Sequence, residues 1–446
     1  MDTPILDFVK KYCEQKPVRA HMPGHKGKTF VGLESLDITE FDGADCLFNA
    51  NGIIKKSRDN ASQLFGANTF YSTEGSSLCI RAMLFLALKN RKNDVDKPFV
   101  LAGRNAHKAF LSAVGLLDID VKWLYPDEFD SYLSCDITAK TVEKALLECE
   151  SLPIAVYITS PDYLGKITDI KDISKVCKKY GVLLLVDNAH GGYLKFLKES
   201  LHPIDNGADM CCDSAHKTLP ALTGSAYLHL SKDLPKTFSE QAEHALSIFG
   251  TTSPSYLILQ SLDAINAYLA NGYKEKLYLF TNKLENLKKQ LLSFGYTLFG
   301  DERLKLTLSA KEYGYTGYEF ANLLKEKGIL VEFYDPDYLV MMFTPETSDD
   351  NLEKVKSVMM SIPKKEPITT HIPPLNKNKD LCSIRQALFA QSETLAIEKC
   401  LNKRLADLAI NCPPAVPIVV CGEIIDENAL NCLKYYGVEK CSVVKE

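Results

Sequence analysis

The sequence lacks the features that mark secreted, membrane-spanning or nucleic-acid-binding proteins. Its 446 residues carry 52 Lys and Arg against 57 Asp and Glu, so the net charge is −5 and no basic excess exists to bind a phosphate backbone. The first twenty residues have neither the basic start nor the apolar run of a signal peptide. No apolar stretch approaches the ~18 residues that suggest a membrane span. We therefore expect a cytoplasmic protein without a membrane or nucleic-acid partner.

The sequence also lacks CxxC pairs, although it contains 14 cysteines. In a chain without a signal peptide, these are expected to be reduced thiols that pack as small apolar side chains. His21 and His25 have the spacing of an HxxxH metal pair, but Pro23 and Gly24 break the helix that would place both rings on one face. We therefore expect no metal site.

What the sequence does contain is an alternation of short β-branched runs with helical patterns, from about residue 60 to 230. One amphipathic helix is expected at Asp172–Tyr180. This alternation predicts an α/β domain with a mostly parallel sheet covered by helices on both faces, whose ligands bind at the carboxyl ends of the strands. The strands are predicted at Phe99–Ala102, Ile154–Thr159, Val182–Val186, Met210–Asp213 and Ser225–Leu230.

The rest of the chain predicts two further regions separated by a linker. A smaller α/β domain is expected over 255–362, beginning with a long helix. The segment 363–380 is rich in proline and charge, which predicts a linker, and 381–446 would form a C-terminal domain that begins with a helix at about 383–408. Residues 1–254 would then hold an N-terminal segment and the large domain.

The strongest chemical signal is a lysine that follows a predicted buried strand. Lys217 comes after Met210–Asp213 and is preceded by Ser214 and His216. Desolvation at such a position favours the neutral amine, which forms a Schiff base with an aldehyde cofactor or a carbonyl substrate. The alternative is a structural lysine without a chemical role.

Two other motifs would complete a pyridoxal phosphate site. Asp187 ends the strand before the one that precedes Lys217, and an acid there would keep the pyridine nitrogen of the cofactor protonated. Gly75, Ser76 and Ser77 come immediately before a predicted helix, whose amino terminus favours a phosphate group. Each motif has a simpler interpretation, since Asp187 is also suited to a turn and Ser76 to a helix cap.

At this point the sequence resembles the ornithine/lysine/arginine decarboxylase family of pyridoxal phosphate enzymes, which has the aminotransferase-like fold (PLP fold type I). Matching motifs occur in the same order through most of the chain. They begin at His21, Asp37, Gly75, Arg104, Ser160, Val186, Ser214 and Thr251.

The resemblance implies roles for the residues around the cofactor ring. Lys217 would bind the cofactor aldehyde covalently, and Asp187 would pair with the pyridine nitrogen. His107 would stack on the ring and His190 would line it. Thr252 would reach the site from a second subunit, because the active site of this family lies at a dimer interface.

The resemblance also implies which residues hold the phosphate. Gly75, Ser76 and Ser77 would bind it directly, and Ser214 and His216 would lie close to it. His216 would also be catalytic, together with Lys217, His107 and Asp187. No metal ligand is implied.

The sequence departs from the family pattern at three places. Asn188 stands where a glutamate is expected, Tyr193 where a second histidine is common, and Pro414-Ala415-Val416-Pro417 where the family has Pro-Gly-Ile-Pro. These departures leave the catalytic class standing and leave the substrate open.

The implied reaction is decarboxylation of lysine, arginine or ornithine to a diamine or agmatine, in polyamine biosynthesis or acid resistance. Lys217 or His216 would return a proton to the α-carbon. The acids that could bind the distal cation of the substrate form one stretch, Asp37, Glu40, Asp42 and Asp45, which could equally be a solvated loop.

Two alternatives remain at this level. One is an aminotransferase or another lyase on the same fold. Aminotransferases grip the substrate carboxylate with arginine, and arginine is scarce in this chain, so decarboxylation is favoured. The other alternative is an inactive regulatory homologue that binds the cofactor, which the departures from the family pattern would suit.

Overall fold

The computed structural model describes residues 1–91, 97–126, 131–374, 382–408 and 414–445. The chain divides into two compact units: the first holds Met1–Asp94 and Ile170–Tyr278, and the second holds Val95–Asp169 and Leu279–Glu446. Part of the predicted linker, 375–380, lies outside the described residues. The four-part domain division stays a prediction. Among the described helices, none is both long and apolar enough to cross a bilayer.

The helices are α1 Pro4–Gln15, α2 Ile53–Phe65, α3 Ser76–Lys89, α4 Lys108–Leu117, α5 Ala139–Leu147, α6 Ile170–Tyr180, α7 Ala215–Thr218, α8 Lys236–Phe249, α9 Tyr256–Ala270, α10 Tyr273–Phe294, α11 Gly317–Glu326, α12 Asp349–Ser361, α13 Ile384–Phe389 and α14 Glu427–Tyr435. The strands are β1 Asn68–Ser72, β2 Phe99–Gly103, β3 Asp120–Leu124, β4 Ala155–Thr159, β5 Leu183–Asp187, β6 Met210–Asp213, β7 Ala226–Leu230, β8 Leu298–Phe299, β9 Lys305–Ser309, β10 Phe333–Tyr334, β11 Tyr338–Met342, β12 Ser392–Ala396 and β13 Lys440–Val444.

The largest sheet takes strands from both units, in the order β1-β7-β6-β5 within the first unit and β4-β2-β3 within the second. In the first unit, β5 and β6 run parallel, whereas β7 is antiparallel to β6 and to β1. In the second unit, β2 runs parallel to both β3 and β4. The predicted α/β class and its mostly parallel sheet are confirmed.

The first unit builds its part of the sheet from strands that are apolar on both faces. All four residues of β6 are buried, as are four of the five in β5, which is the pattern of interior strands covered by helices on both sides. Helix α3 is apolar around most of its circumference and buries nine of its fourteen residues. By contrast, α6 buries a single stripe, as expected of a helix with one face in water.

The second unit adds two smaller antiparallel sheets. One has the order β10-β11-β9-β8, and the other is the pair β12–β13. The helix predicted at about 383–408 is wrong. A capping box of Ser383 and Gln386 does start a helix, α13, but it ends at Phe389. The chain then forms β12, whose backbone groups pair with those of β13. The residues of β12 are mostly polar and exposed, so a helix formed by them would gain little stability from packing.

The five predicted strands were found within one residue at each end, and two strands of the largest sheet, β1 and β3, were missed. Strand β3 is only partly buried along most of its length, and β1 has the polar sequence NTFYS. Each is the last strand in the order of its own unit, and its polar residues interrupt the apolar run by which the other strands were predicted. The thirteen described cysteines are free thiols, most of them buried.

Candidate active site

The parallel strands β5 and β6 bring their two following turns together in the first unit. Asp187 pairs with Cys212 in the strand register, and the N–H of Asn188 donates to the carbonyl of Cys212 at 3.0 Å. Both strands end at the same edge of the sheet because they run in the same direction. The turn after β5 therefore lies beside the short helix α7 that follows β6.

Lys217 and His190 meet across these turns. Lys217 lies in the single-turn helix α7, whose N-cap is Ser214, and its Nζ is 3.1 Å from Nε2 of His190. His190 is buried and Lys217 is half-buried. An amine in hydrogen-bond contact with an imidazole can exchange a proton with it, which is the arrangement required of an acid–base pair.

Asp187 lies at the carboxyl end of β5 and is 3% exposed. Its Oδ1 accepts the N–H of Ala189 at 3.2 Å and a weaker contact from the thiol of Cys212 at 3.7 Å. The carboxylate is thus fixed at the same sheet edge as Lys217. This location suits a partner for a protonated ring nitrogen.

The amino terminus of α3 forms an open cradle. Gly75 is the N-cap with φ +70°, and a Cβ added there would meet no atom within 4 Å, so space lies in front of the first helical turn. The hydroxyl of Ser214 donates to that of Ser76 at 2.8 Å, which joins the lysine turn to the cradle. Ser77, half-buried, adds a second hydroxyl. Backbone N–H groups, hydroxyls and the helix dipole fit a phosphate group.

Two further predicted residues lie close to these elements in the chain. The Nδ1 of His216 is 3.1 Å from the carbonyl of Ser225. Thr252 is exposed in the loop between α8 and α9, next to Thr251, whose N–H donates to Oε1 of Glu74 at 2.7 Å. That loop therefore adjoins the cradle of its own chain. The role of Thr252 in a second subunit stays a prediction.

His107 belongs to the second unit and is the N-cap of α4. Its Nδ1 accepts the N–H of Ala109 at 3.1 Å. The next residue, Lys108, donates its N–H to the carbonyl of Ala415 at 2.9 Å. The turn that carries His107 is thus held by the segment that departs from the family pattern. The stacking role of His107 on a cofactor ring stays a prediction.

The acidic stretch resolves into residues with separate local partners. Oδ2 of Asp37 is 3.2 Å from Nε2 of His25, and Oε1 of Glu40 accepts the N–H of Leu47 at 3.2 Å. Asp45 accepts several backbone N–H groups at the start of α2, and these hydrogen bonds lower its pKa, although partial burial opposes the shift. Asp45 therefore stabilises the helix start, which makes it a poor candidate for binding a substrate cation.

Sequence reasoning missed a buried hydrogen-bond hub around Asp213. Its Oδ2 accepts Nε2–H groups of His202 at 3.1 Å and His229 at 3.2 Å, and its Oδ1 accepts the Nδ2–H of Asn188 at 2.6 Å. The carboxylate and both imidazoles are fully buried. The histidines are spaced irregularly along the chain, so no motif signals that they converge. Asn188, noted only as a departure from the family pattern, was the one indication.

The donors around Asp213 reverse the usual effect of burial. Burial alone would raise the pKa of Asp213, but the two imidazoles hold it below its ordinary value. Burial lowers the pKa of His229, which leaves that ring neutral near pH 7. The interaction with His202 and His229 therefore outweighs the effect of burial and keeps this carboxylate ionised.

Comparison with known proteins agrees with this geometry. Residues 3–294 match the family described as "Orn/Lys/Arg decarboxylase, major domain". The chain is 30% identical to an arginine decarboxylase of Bacillus subtilis, and 29% identical to one of Halalkalibacterium halodurans, in both cases over 96% of this chain and 92% of the relative. The structure of the constitutive lysine decarboxylase of E. coli covers 100% of this chain and 82% of its own, with a TM-score of 0.79 and 17% identity. The shared fold is PLP fold type I.

Proposed function

The chain belongs to the Orn/Lys/Arg decarboxylase family, and on that premise we propose that it is a pyridoxal phosphate-dependent decarboxylase acting on arginine. The observation that carries the proposal is the 3.1 Å contact of Lys217 with His190, beside the cradle at the start of α3. Arginine is favoured over lysine and ornithine because the relatives of Bacillus subtilis and Halalkalibacterium halodurans described above, which match nearly the whole chain, are named arginine decarboxylases.

The residues of the first unit divide the work of holding the cofactor. Ser76 and Ser77, with the N–H groups at the start of α3, would bind the phosphate. Lys217 would bind the aldehyde, and Asp187 would accept a hydrogen bond from the ring nitrogen. When bound in this way, pyridoxal phosphate supplies an electron sink for the electrons released as carbon dioxide leaves the substrate.

Proton movement falls to Lys217 and His190. The Nζ of Lys217 would hold a proton and deliver it to the α-carbon of the substrate. His190 Nε2, within hydrogen-bond distance, would orient that amine and exchange the proton with it. We also propose a homodimer, in which Thr252 would reach the phosphate site of the partner, as the family resemblance implies.

The proposal is tested by supplying arginine, lysine and ornithine, each labelled in the carboxyl carbon, to protein loaded with pyridoxal phosphate. We expect labelled carbon dioxide from arginine at a kcat/KM at least ~10-fold above that for lysine or ornithine. A site that hydrogen-bonds the guanidinium group of arginine would discriminate strongly against substrates that lack this group. Lys217→Ala should lower release by ~1,000-fold or more. The exposed control Lys232→Ala should leave the rate unchanged.

Two outcomes would contradict the proposal. Formation of a keto acid without labelled carbon dioxide would indicate an aminotransferase. Cofactor-loaded protein that releases carbon dioxide from none of the three amino acids would indicate a regulatory homologue.

A further inference from the structure

We propose that Asn188 and Asp213 are positioning residues that lock the turn carrying His190 against the turn carrying Lys217. This inference rests on the proposed function, because it assigns a purpose to the contact between these two side chains. Each acts through the backbone that it holds.

Asn188 is fixed at the start of the first turn by three hydrogen bonds. Its N–H donates to the carbonyl of Cys212 at 3.0 Å, and its own carbonyl accepts the N–H of Gly191 at 2.8 Å. Its side chain donates to Asp213 at 2.6 Å. His190 is two residues further on, inside the turn that these bonds close.

Asp213 begins the second turn. Ser214, the next residue, caps the helix that carries Lys217 and donates to Ser76 in the cradle. A displacement of Asp213 would therefore move the lysine and the cradle hydroxyl together. The hydrogen bond between Asn188 and Asp213 is a side-chain link between the two turns at the point where both leave the sheet.

The amide at position 188 is matched to the carboxylate at position 213. An acid at 188 would set two carboxylates in hydrogen-bond contact inside the protein, where like charges repel strongly. The side chain of Asn188 also has little room to turn away, because a Cβ at Gly191 would lie 1.9 Å from its Oδ1. The pairing therefore requires a donor at 188, an acceptor at 213 and glycine at 191.

A metal centre is the competing interpretation of this cluster. The ligand atoms of His202, Cys211 and Asp213 lie within 4.8 Å of one another. However, Oδ2 of Asp213 already accepts an N–H from each of two imidazoles, and burial raises the pKa of Cys211, which keeps it a neutral thiol. The groups are thus used as a hydrogen-bond hub. Elemental analysis that finds stoichiometric metal, lost in Cys211→Ser, would overturn this assignment.

The test of the proposed pairing exchanges the amide at position 188 and the carboxylate at position 213. Asn188→Asp should raise the pyridoxal phosphate concentration for half-saturation at least tenfold and should shift the absorbance band of the bound cofactor. The double variant Asn188→Asp with Asp213→Asn restores an amide opposite a carboxylate, and it should return half-saturation to within threefold of the wild type. If Asn188→Asp does not fold, Asn188→Ala removes the same donor without adding a charge, and it should show the same shift.

The matched control is Asp263→Asn in the same unit. Asp263 is a buried carboxylate that accepts the N–H groups of Ile5 and Leu6 and the hydroxyl of Ser57. Its substitution should lower the thermal midpoint and leave the cofactor band unchanged. The inference is overturned if Asn188→Asp behaves like this control, or if the double variant is no better than the single one. A wild-type protein without a borohydride-reducible band would contradict the proposed function instead.

Discussion

Two carboxylates, one in each unit, are almost equally buried, and yet their pKa values are shifted in opposite directions. Asp213 of the first unit is 0% exposed and Asp335 of the second is 3% exposed. The pKa of Asp213 is held below its ordinary value, whereas burial raises the pKa of Asp335 to about 7. Depth of burial therefore does not decide the charge of an interior acid in this protein.

The difference follows from what each carboxylate accepts. Asp213 uses both oxygens, with two imidazoles on one and an amide on the other. Asp335 accepts the N–H groups of Asp337 and Tyr338 on Oδ1 alone, and its Oδ2 is buried without a hydrogen-bond partner among the described residues. The nearby carboxylate of Asp337 adds to the burial effect. The two imidazoles beside Asp213 therefore outweigh the effect of burial on its pKa, whereas the two backbone donors of Asp335 do not.

The largest expected effect is the difference in stability between the variant that lacks the Asp213 side chain and the variant that lacks the Asp335 side chain. Asp213→Ala leaves three buried donors without an acceptor and should lower the free energy of unfolding by ~3–5 kcal/mol. Asp335→Ala leaves two backbone N–H groups without this acceptor but also removes an acid whose ionisation opposes folding at pH 7, so it should lower the free energy of unfolding by less than ~1 kcal/mol or raise it. Urea unfolding of both variants at pH 7 measures the difference. Equal losses would break the comparison.

The next effect is a pH dependence that belongs to Asp335. Its pKa is about 7 in the folded protein and 3.8 as the ordinary value, so its contribution to stability is complete below 3.8 and is lost as pH rises through 7. Asp335→Asn does not titrate, and it should therefore gain stability over the wild type between pH 4 and 8, by up to ~4 kcal/mol.

Thermal unfolding across this pH range provides the measurement. The exposed Asp349→Asn, which loses an ion pair with Lys283, is the control and should run parallel to the wild type. A difference between Asp335→Asn and wild type that stays constant with pH would show that the oxygen of Asp335 finds a partner in solution.

The smallest effect concerns backbone strain in the second unit. Ala415 has φ +57°, in the left-handed region that favours glycine, and the family resemblance leads us to expect glycine at this position. Ala415→Gly should relieve this strain and raise the free energy of unfolding by ~0.5–1 kcal/mol. The control Ala390→Gly, at φ −69°, should lower it by a similar amount, since no strain is relieved there. Destabilisation by both substitutions would show that Ala415 is unstrained.

Much of the fold was accessible from the sequence because its signal is local. Buried runs such as those of β5 and β6 are continuous and apolar, and short strands are the usual form of such runs between helical patterns. The helix expected at about 383–408 failed because the partner of β12 is β13, almost fifty residues away. Local pattern does not encode that pairing.

The candidate site likewise contains residues that could be predicted from the sequence and residues that could not. Lys217, Asp187 and the Gly75–Ser77 cradle could be predicted because each lies at a strand end or a helix start, positions with their own sequence signals. The hydrogen-bond hub around Asp213 could not be predicted, because its donors come from β7 and from two turns. Thr69 of β1 extends the hub through a hydrogen bond of 2.9 Å to His229. Asn188 could be recognised as a departure from the family pattern, but the reason for the amide became clear only from its contact with Asp213 on the neighbouring strand.

The most direct test of the central claim is to identify the lysine that binds the cofactor. Protein loaded with pyridoxal phosphate is reduced with borohydride and digested, and the modified peptide is identified by mass spectrometry. We predict that the pyridoxyl group is found on Lys217. Its presence on another lysine, such as Lys108, or no modified lysine at all, would contradict the account.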